Sequence, residues 1–485
     1  MSLSTALNTA QNSLLNTQRQ TGVVSRNIAN WQNPDYARRS AELSSLAPGS
    51  RVAEIRRATD AALFKQNITA LSGWTAQSTL MTGLDQLNMT INGIDNVSSA
   101  ANMLGKLQEA IQLYSATPSN RTLAENAVEM GRQMVRTLND STQTIQNFRA
   151  DMDSQVAIAV ADLNSLLADF EGVNNEIIRA TSSGREALDA YDRRDGLLKR
   201  IAELVPISTI GRANNDIMIV TADGTTLFES VPRHVSFEAQ PAYGPNTVGN
   251  RVLVDGVPIT PAVGANTTAG GKIAAMVQLR DTYAAGMQAQ LDEVARGLIM
   301  AFSEKNPTDA SDVRTGLFTW PGGPDTPPAG LLVPGLAGMI SLNSLADPQK
   351  PGGNAERLRD GINPDFDFNP NNNASYSGLL IGFIGAMDAP QNLVAAGGNI
   401  QSTSLMTYST GVVSWLEDAR KTADNAAETK SALIVRTSEA LSNITGVNID
   451  EEMALMMELE QSYAASAKLM QMIDEMLKTL LSVVR

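Results

Sequence analysis

Residues 449–485, IDEEMALMMELEQSYAASAKLMQMIDEMLKTLLSVVR, form the stretch of sequence that decides the fold. Apolar residues recur at every seventh position, and others fill most of the complementary positions, which is the heptad pattern of a coiled coil. No Gly or Pro interrupts the stretch, and Asn448 with Glu451 forms a capping signal for a helix start. The predicted seam consists of Ile449, Met456, Tyr463, Met470, Leu477 and Val484, with Leu459, Ile473 and Leu480 at the complementary positions.

The beginning of the chain carries a second strip of the same kind. Its spacings alternate between four and three residues, and Asn33-Pro34 ends the predicted helix because a residue before proline avoids the α region. The strip consists of Leu3, Leu7, Ala10, Leu14, Thr17, Thr21, Val24 and Ile28.

Both strips are weak seams, because Thr17, Thr21, Glu452 and Ser466 occupy seam positions. A single weakly hydrophobic helix is marginal in water, so each strip needs a partner. We expect the two ends to pair with each other, and neighbouring copies of the chain to cover the remaining faces. We also expect both ends to be disordered in the isolated monomer.

The residue pattern changes along the middle of the chain, from helix-like to strand-like and then to irregular. Residues 145–177 continue a three/four apolar spacing typical of a long helix. An Asp223-Gly224 pair between β-rich runs predicts a hairpin. Residues 307–375 are rich in Pro, Gly and Asn.

The predicted fold class is mainly α, with terminal helices in a coiled coil, an elongated multi-helix rod domain and a small β domain inserted in the middle. The predicted domains are a terminal assembly domain (1–58 and 446–485), a helical rod domain (59–205, 270–306 and 376–445), an inserted β domain (206–269) and an irregular surface insertion (307–375).

Composition excludes several kinds of chemistry. The 485 residues include no cysteine and one histidine, so thiol catalysis, disulfides and thiolate metal sites are impossible. His234 lies in a polar, proline-flanked stretch without a nucleophile motif. A net charge of −14 disfavours nucleic acid and anionic membranes as partners. The sequence also predicts no cleaved secretory signal and no membrane insertion.

Two motifs resemble ligand sites but lack necessary residues. The stretch from Asp365 begins like a calcium loop, but Pro370 takes the glycine position and Tyr376 the glutamate position. Gly270-Gly271-Lys272 resembles the end of a phosphate loop, but Ile273 replaces the Ser or Thr that would bind magnesium. We therefore predict no catalytic residue, no metal and no cofactor.

Five stretches carry a resemblance to a known family. Residues 25–30, SRNIAN, followed by Pro34, Tyr36 and Arg38, resemble the signature near the N-terminus of flagellar rod, hook and hook-associated subunits, although Asp35 replaces the usual glycine. GVNIDEEM at 446–453 and QSYAASAK at 461–468 are similar to the other end of the same subunits. LDAYDRRDGLL at 188–198 and GGKI at 270–273 resemble the flagellar hook-associated protein 1 family in particular.

The resemblance implies a structural subunit at the junction of hook and filament, with Asn30, Tyr36 and Arg38 in its assembly interface. The implied partners are other copies of the chain, the hook protein, the next hook-associated protein towards the filament, a cytoplasmic export chaperone on the C-terminal helix, and the flagellar type III export apparatus. The implied location is the extracellular flagellum, after a transient cytoplasmic stage.

Other functions stay open at this point. The chain shares both terminal signatures with hook and distal rod proteins, so another axial subunit is the nearest alternative. A hydrolase carried on the flagellum, or a secreted coiled-coil toxin or translocator, would need a catalytic site or a membrane-inserting helix that the sequence does not display.

Overall fold

The computed structural model describes residues 3–45, 50–260, 270–328, 330–395 and 398–483. The helices are α1 (Leu3–Ala29), α2 (Ala61–Ile91), α3 (Ala100–Ala116), α4 (Arg121–Ser182), α5 (Leu188–Leu204), α6 (Lys272–Gln278), α7 (Ala284–Ala301), α8 (Leu336–Met339), α9 (Arg357–Asp360), α10 (Gly378–Asp388), α11 (Leu405–Thr445) and α12 (Ile449–Val483). The strands are β1 (Arg39–Ser45), β2 (Ser50–Arg57), β3 (Ile207–Gly211), β4 (Ile217–Thr221), β5 (Thr226–Phe228), β6 (Val235–Ser236), β7 (Leu253–Val254), β8 (Val257–Pro258), β9 (Glu304–Lys305), β10 (Val313–Arg314), β11 (Phe318–Thr319), β12 (Ser341–Leu342), β13 (Gln391–Val394) and β14 (Ile400–Thr403).

The predicted fold class is confirmed: long helices dominate, and small antiparallel sheets lie in the middle of the chain. The helix strip predicted at 145–177 lies within the 62-residue helix α4. The predicted cap of α12 also forms, because the Asp450 amide donates to Asn448 Oδ1 over 3.1 Å and Asn448 Nδ2 lies 3.3 Å from Glu451 Oε1. Among the described residues, no helix has both the length and the apolar character that a membrane crossing requires.

The chain divides into two compact units. Unit 1 contains residues 1–74, 162–235 and 429–485, and unit 2 contains 75–161 and 236–428. Three of the four boundaries fall inside α2, α4 and α11, and the boundary at 235/236 falls inside β6. The sequence-based division into four domains stays a prediction.

Unit 1 has a core formed by the end of α4, by α5 and by the sheet β3-β4-β5. Phe170 of α4 and Phe228 of β5 are both fully buried and meet edge to face, with ring centroids 4.9 Å apart. β4 and β5 pair antiparallel around Gly224, whose φ of 88° suits glycine in a tight turn. The hairpin predicted at Asp223-Gly224 is therefore confirmed.

The hairpin β1–β2 in unit 1 has no counterpart among the sequence predictions. Arg39 pairs with Arg57 at its open end, and Leu43 pairs with Val52 further along. Asn16 of α1 accepts a hydrogen bond from the Val52 amide over 3.0 Å, which holds the hairpin against the helix. The strands are polar and lack the β-branched runs that indicate strands in a sequence, so only their tertiary contacts define them.

Unit 2 is organised around α7, which is buried along almost its whole length. Phe302, at its C-terminal end, packs against Phe318 and Phe383, with ring centroids 5.0 Å away in each case. Asp292 of α7 is buried and accepts hydrogen bonds from the amides of Gly335 and Ala337, so it caps the short helix α8. Segment 307–375 thus contributes short elements and buried side chains to this core.

Two parts of unit 2 differ from the helices that the sequence predicts. The sequence has the texture of a helix from 377 to 441, but in the structure the antiparallel hairpin β13–β14 separates α10 from α11. Pro390 immediately precedes β13, and proline cannot donate the amide hydrogen bond that would continue the helix. Gly270-Gly271 also predicts the start of a helix that runs to about Lys305. In the structure α6 begins at Lys272, a π-helical turn at Leu279–Tyr283 follows, and α7 ends at Ala301.

Candidate assembly site

The first and last helices lie side by side in opposite directions. The hydroxyls of Ser13 and Ser466 are 2.8 Å apart, and Asn27 Nδ2 donates to Glu452 Oε2 over 3.0 Å. The residue number therefore rises from 13 to 27 along α1 while the number of the contacting residue on α12 falls from 466 to 452. The two chain ends form one antiparallel helix pair, in which the predicted polar seam residues Glu452 and Ser466 face polar residues of α1.

The structure places the predicted interface residues at different depths. Val24, Tyr36, Leu459 and Ile473 are buried, and Tyr463 and Leu480 are about half exposed. Val484 lies outside the described residues. The residues with burial between these two groups are Leu3, Leu7, Leu14, Ile28, Asn30, Arg38, Ile449, Met456, Met470 and Leu477. Their role in contacts between subunits stays a prediction.

Glu452 is the centre of a buried polar network between the chain ends. Its side chain is 1% exposed, and its carboxylate accepts hydrogen bonds from Arg38 Nε over 2.7 Å and from Asn27 Nδ2 over 3.0 Å. A buried carboxylate is costly unless it is paired and hydrogen-bonded, and here both oxygens have donors. A polar residue in a helix seam also favours one register over others, because a shift would leave it without partners.

Asn27 uses its whole hydrogen-bonding capacity in this network. Its Nδ2 donates to Glu452 and to the Arg39 carbonyl, over 3.0 and 2.8 Å. Its Oδ1 accepts from the Tyr36 hydroxyl and from the Arg39 amide, over 2.8 and 3.1 Å. A side-chain amide has two donors and two acceptor positions, so asparagine fits this fully buried place and aspartate does not.

Tyr36 and Arg38 connect the network to the rest of the terminal segment. Burial raises the pKa of the Tyr36 phenol above its ordinary value, so the hydroxyl stays protonated and donates to Asn27 at neutral pH. The Arg38 amide donates to the Thr445 carbonyl over 2.7 Å, just before the turn that leads into α12. Residues of the two resembling stretches, 25–38 and 446–453, thus meet in one place. Asn30 is different, since its amide donates to the Arg26 carbonyl and caps α1.

Comparisons with known proteins agree on one family. The family model "Flagellar hook-associated protein FlgK helical domain" matches residues 84–312, and "Flagellar basal body rod FlgEFG protein C-terminal" matches 440–483. Flagellar hook-associated protein 1 of Bacillus subtilis is 22% identical over 97% of this chain and 96% of its own length. The protein of the same name from Salmonella typhimurium is 27% identical over 47% of this chain and 43% of its own.

These matches support an FlgK-like family of flagellar hook-associated proteins for this chain. A solved structure of the flagellar hook junction protein FlgK from Burkholderia pseudomallei has the same fold, with a TM-score of 0.57 at 12% identity. The match covers 78% of this chain and 99% of that one.

In this FlgK-like chain, the C-terminal match at 440–483 includes Glu452, which the sequence pattern indicated only as a polar gap in the seam. Asn27 and Arg39 were likewise absent from the predicted interface. An acidic residue at a seam position, together with an arginine and an asparagine beside the other seam, is a signal that could have identified them. Asn27 and Glu452 lie 425 residues apart in the chain, so the sequence does not pair them by itself.

Helix α12 of this FlgK-like chain also presents an apolar stripe that α1 does not cover. We call it the outer stripe, and it consists of Leu469, Met472, Met476 and Leu480, each about half exposed. Its residues are spaced by three or four positions, so they lie along one side of the helix. A row of large apolar side chains in water marks a surface that binds another molecule.

The motifs that resemble ligand sites have other partners in the structure. The Asp365 carboxylate accepts from Arg314 over 2.7 Å, and Asn369 donates to Asp360 over 2.7 Å. His234 is exposed. Across the described ranges, no group of three or more His, Cys, Asp or Glu side chains is arranged to bind a metal ion.

Proposed function

We propose that this protein is a structural subunit of the bacterial flagellum that joins the hook to the filament. The observation that carries the proposal is the buried network of Asn27, Arg38 and Glu452, which connects the two chain ends in an FlgK-like chain. The relatives that bear the name flagellar hook-associated protein 1 include one that matches along nearly the whole chain. We infer that the protein works by assembly and not by catalysis, on the extracellular flagellum.

The assembly step uses the terminal helices. Each is weakly hydrophobic, and the outer stripe stays in water in a single chain. Contact with neighbouring subunits covers that stripe, and coupled folding and burial then hold the subunit in place. We infer that α1 and α12 are disordered in the free monomer, which suits passage of an unfolded chain through the type III export apparatus.

The partners follow from the place of the subunit in the fibre. They are neighbouring copies, the hook protein on one side and the next hook-associated protein on the other. Before export, the exposed apolar side chains of the C-terminal helix would promote aggregation in the cytoplasm. An export chaperone that binds this helix would prevent that aggregation. Each of these partners is a proposal for this chain.

Another axial subunit is the second candidate, because residues 440–483 match a model named for rod and hook proteins. The match of residues 84–312 to the helical domain of the hook-associated protein favours a role at the junction of hook and filament. Electron microscopy of a deletion strain distinguishes the two. Hooks without filaments support the junction role, whereas a strain without hooks refutes it.

Two measurements test the assembly mechanism. Amide hydrogen exchange of the free monomer should show little protection over residues 3–28, and strong protection there would contradict folding on assembly.

Met476→Glu places a charge in the outer stripe, so we expect loss of filaments in a complemented deletion strain. Gln471→Glu, an equal charge change at an exposed position of α12 outside the stripe, serves as the matched control and should leave filaments in place. Equal filament numbers in both variants would refute a role for the stripe.

A further inference from the structure

Helix α5 carries a row of carboxylates that the assembly site does not use. Asp189, Asp192 and Asp195 recur at three-residue steps within the stretch 188–198. Residues three apart on a helix are neighbours on its surface, so the three carboxylates form one acidic face. We call it the α5 acidic face.

Two arginines of the hairpin β1–β2 bind this face. Arg39 and Arg57 stand opposite each other at the open end of the hairpin. Arg39 donates to Asp192 Oδ2 over 2.8 Å and also to Asp189, and Arg57 donates to Asp192 Oδ1 over 2.7 Å and to Asp195 Oδ2 over 2.6 Å. Both strands of the hairpin are thereby attached to the same helix at its open end.

Asp192 has the central place in these contacts. It is the carboxylate that both arginines share, and it also accepts from the Ala37 amide over 3.3 Å. Its side chain is 12% exposed, against 82% for Asp189. Water therefore replaces the contact of Asp189 easily, while loss of the Asp192 charge would leave the buried Arg39 guanidinium without its main counter-charge.

The hairpin end that α5 holds is also part of the assembly site. The backbone amide and carbonyl of Arg39 make two of the four hydrogen bonds of Asn27, and Asn27 in turn donates to Glu452. A continuous set of contacts therefore leads from Asp192 on α5 through Arg39 on β1 to α1 and α12.

We propose that the α5 acidic face is the docking surface that fixes the hairpin before the terminal helices pair, with Asp192 as the positioning residue. The docked hairpin presents the Arg39 backbone in the place where Asn27 must bind. A prearranged partner lowers the entropy that α1 and α12 lose when they fold. The proposal deepens the proposed assembly function and rests on it.

A distance measurement in the isolated chain tests the proposal. The protein has no cysteine, so Ser44→Cys on β1 and Arg200→Cys on α5 introduce the only two labelling sites, both at exposed positions. Double electron–electron resonance between nitroxides at these sites should give one narrow distance distribution. Asp192→Asn keeps the shape and removes the charge, and we expect it to widen the distribution at least twofold.

Glu176→Gln is the matched control. It removes one carboxylate charge from the exposed ion pair between Glu176 of α4 and Arg193 of α5. Arg193 lies outside the α5 acidic face. A narrow distribution in this variant and a wide one in Asp192→Asn support the proposal. A narrow distribution in both, or a wide one in both, overturns it. A carboxylate that only stabilised the fold would lower the thermal midpoint and leave the folded protein with a narrow distribution.

Arg57→Gln covers the case in which Asp192→Asn does not fold. It breaks the second attachment at a side chain that is 12% exposed, and a wide distribution supports docking while a narrow one refutes it. The measurement uses no hook or filament. A failure of the junction role in the deletion strain would therefore leave these distances unchanged, and the two proposals can fail separately.

Discussion

Glu452→Gln tests the network that connects the two chain ends. The substitution keeps the shape of the side chain, removes the charge and turns one acceptor oxygen into a donor. Arg38 Nε and Asn27 Nδ2 are both donors at 2.7 and 3.0 Å, so glutamine can satisfy only one of them. The variant therefore loses one charge-assisted hydrogen bond and weakens the other.

The size of the effect follows from burial. A hydrogen bond to a charged group contributes about 1.5–3 kcal/mol, and the pair with Arg38 contributes less because that arginine is 36% exposed. We expect a loss of about 2 kcal/mol from the pairing of α1 and α12. Since 1.4 kcal/mol corresponds to a factor of ten, the concentration for half-maximal binding to isolated hooks should rise about thirtyfold.

The assay is binding of purified protein to isolated hooks, with filament counts in a complemented deletion strain as a second readout. Glu458→Gln is the control, because it makes the same chemical change at an exposed position of α12. If Glu452→Gln bound hooks at the same concentration as Glu458→Gln and the parent, the network would have no role in assembly. Glu452→Leu adds a further comparison: if it strengthened binding, Glu452 would only fill the seam and would not select its register.

Three further predictions concern single groups. Tyr36→Phe removes a buried hydroxyl donor and should weaken hook binding by about 1 kcal/mol, roughly fivefold, whereas unchanged binding would exclude the hydroxyl from the network. Burial raises the pKa of Asp292 from 3.8 to about 6, so between these values the folded state holds a proton that the unfolded state releases. The Asp292 contribution to the free energy of unfolding should therefore fall by about 2 kcal/mol as pH rises from 4 to 6, and Asp292→Asn should remove this contribution in urea titrations at each pH. Gly316→Ala would place a methyl group against the Phe302 carbonyl and should cost about 1–3 kcal/mol in chemical denaturation, while Gly105→Ala in α3, where the space is open, should stabilise by about 0.5–1 kcal/mol.

The sequence predicted the helical parts of the fold wherever apolar spacing was regular. The strips at 3–28 and 449–485 became α1 and α12, and 145–177 became part of α4, because a long periodic pattern specifies a helix and its buried side at once. The interruption of 377–441 by β13–β14 was not predicted. Its residues make a hairpin through pairing with each other and packing on α7, and composition alone does not show this.

The candidate site was predicted in outline only. Tyr36 and Arg38 were predicted as interface residues only because of the resemblance. The structure gives the chemical reason, since Tyr36 donates to Asn27 and Arg38 donates to Glu452. The hairpin β1–β2 was missed because its strands are polar and lack runs of β-branched residues. It is held by Asn16 on α1 and by carboxylates on α5 that lie about 135–155 residues away in the chain.

The sequence by itself determined that both ends of this chain are amphipathic helices with imperfect seams, since heptad spacing and the absence of Gly and Pro are local properties. It also determined that cysteine chemistry has no part in the protein. The tertiary structure alone decided what the imperfections do. Glu452 and Ser466 are polar gaps in a one-dimensional pattern, but in space each faces a polar partner from α1. Hydrogen bonds depend on positions a few ångströms apart, and only folding brings residues from opposite ends of the chain to such distances.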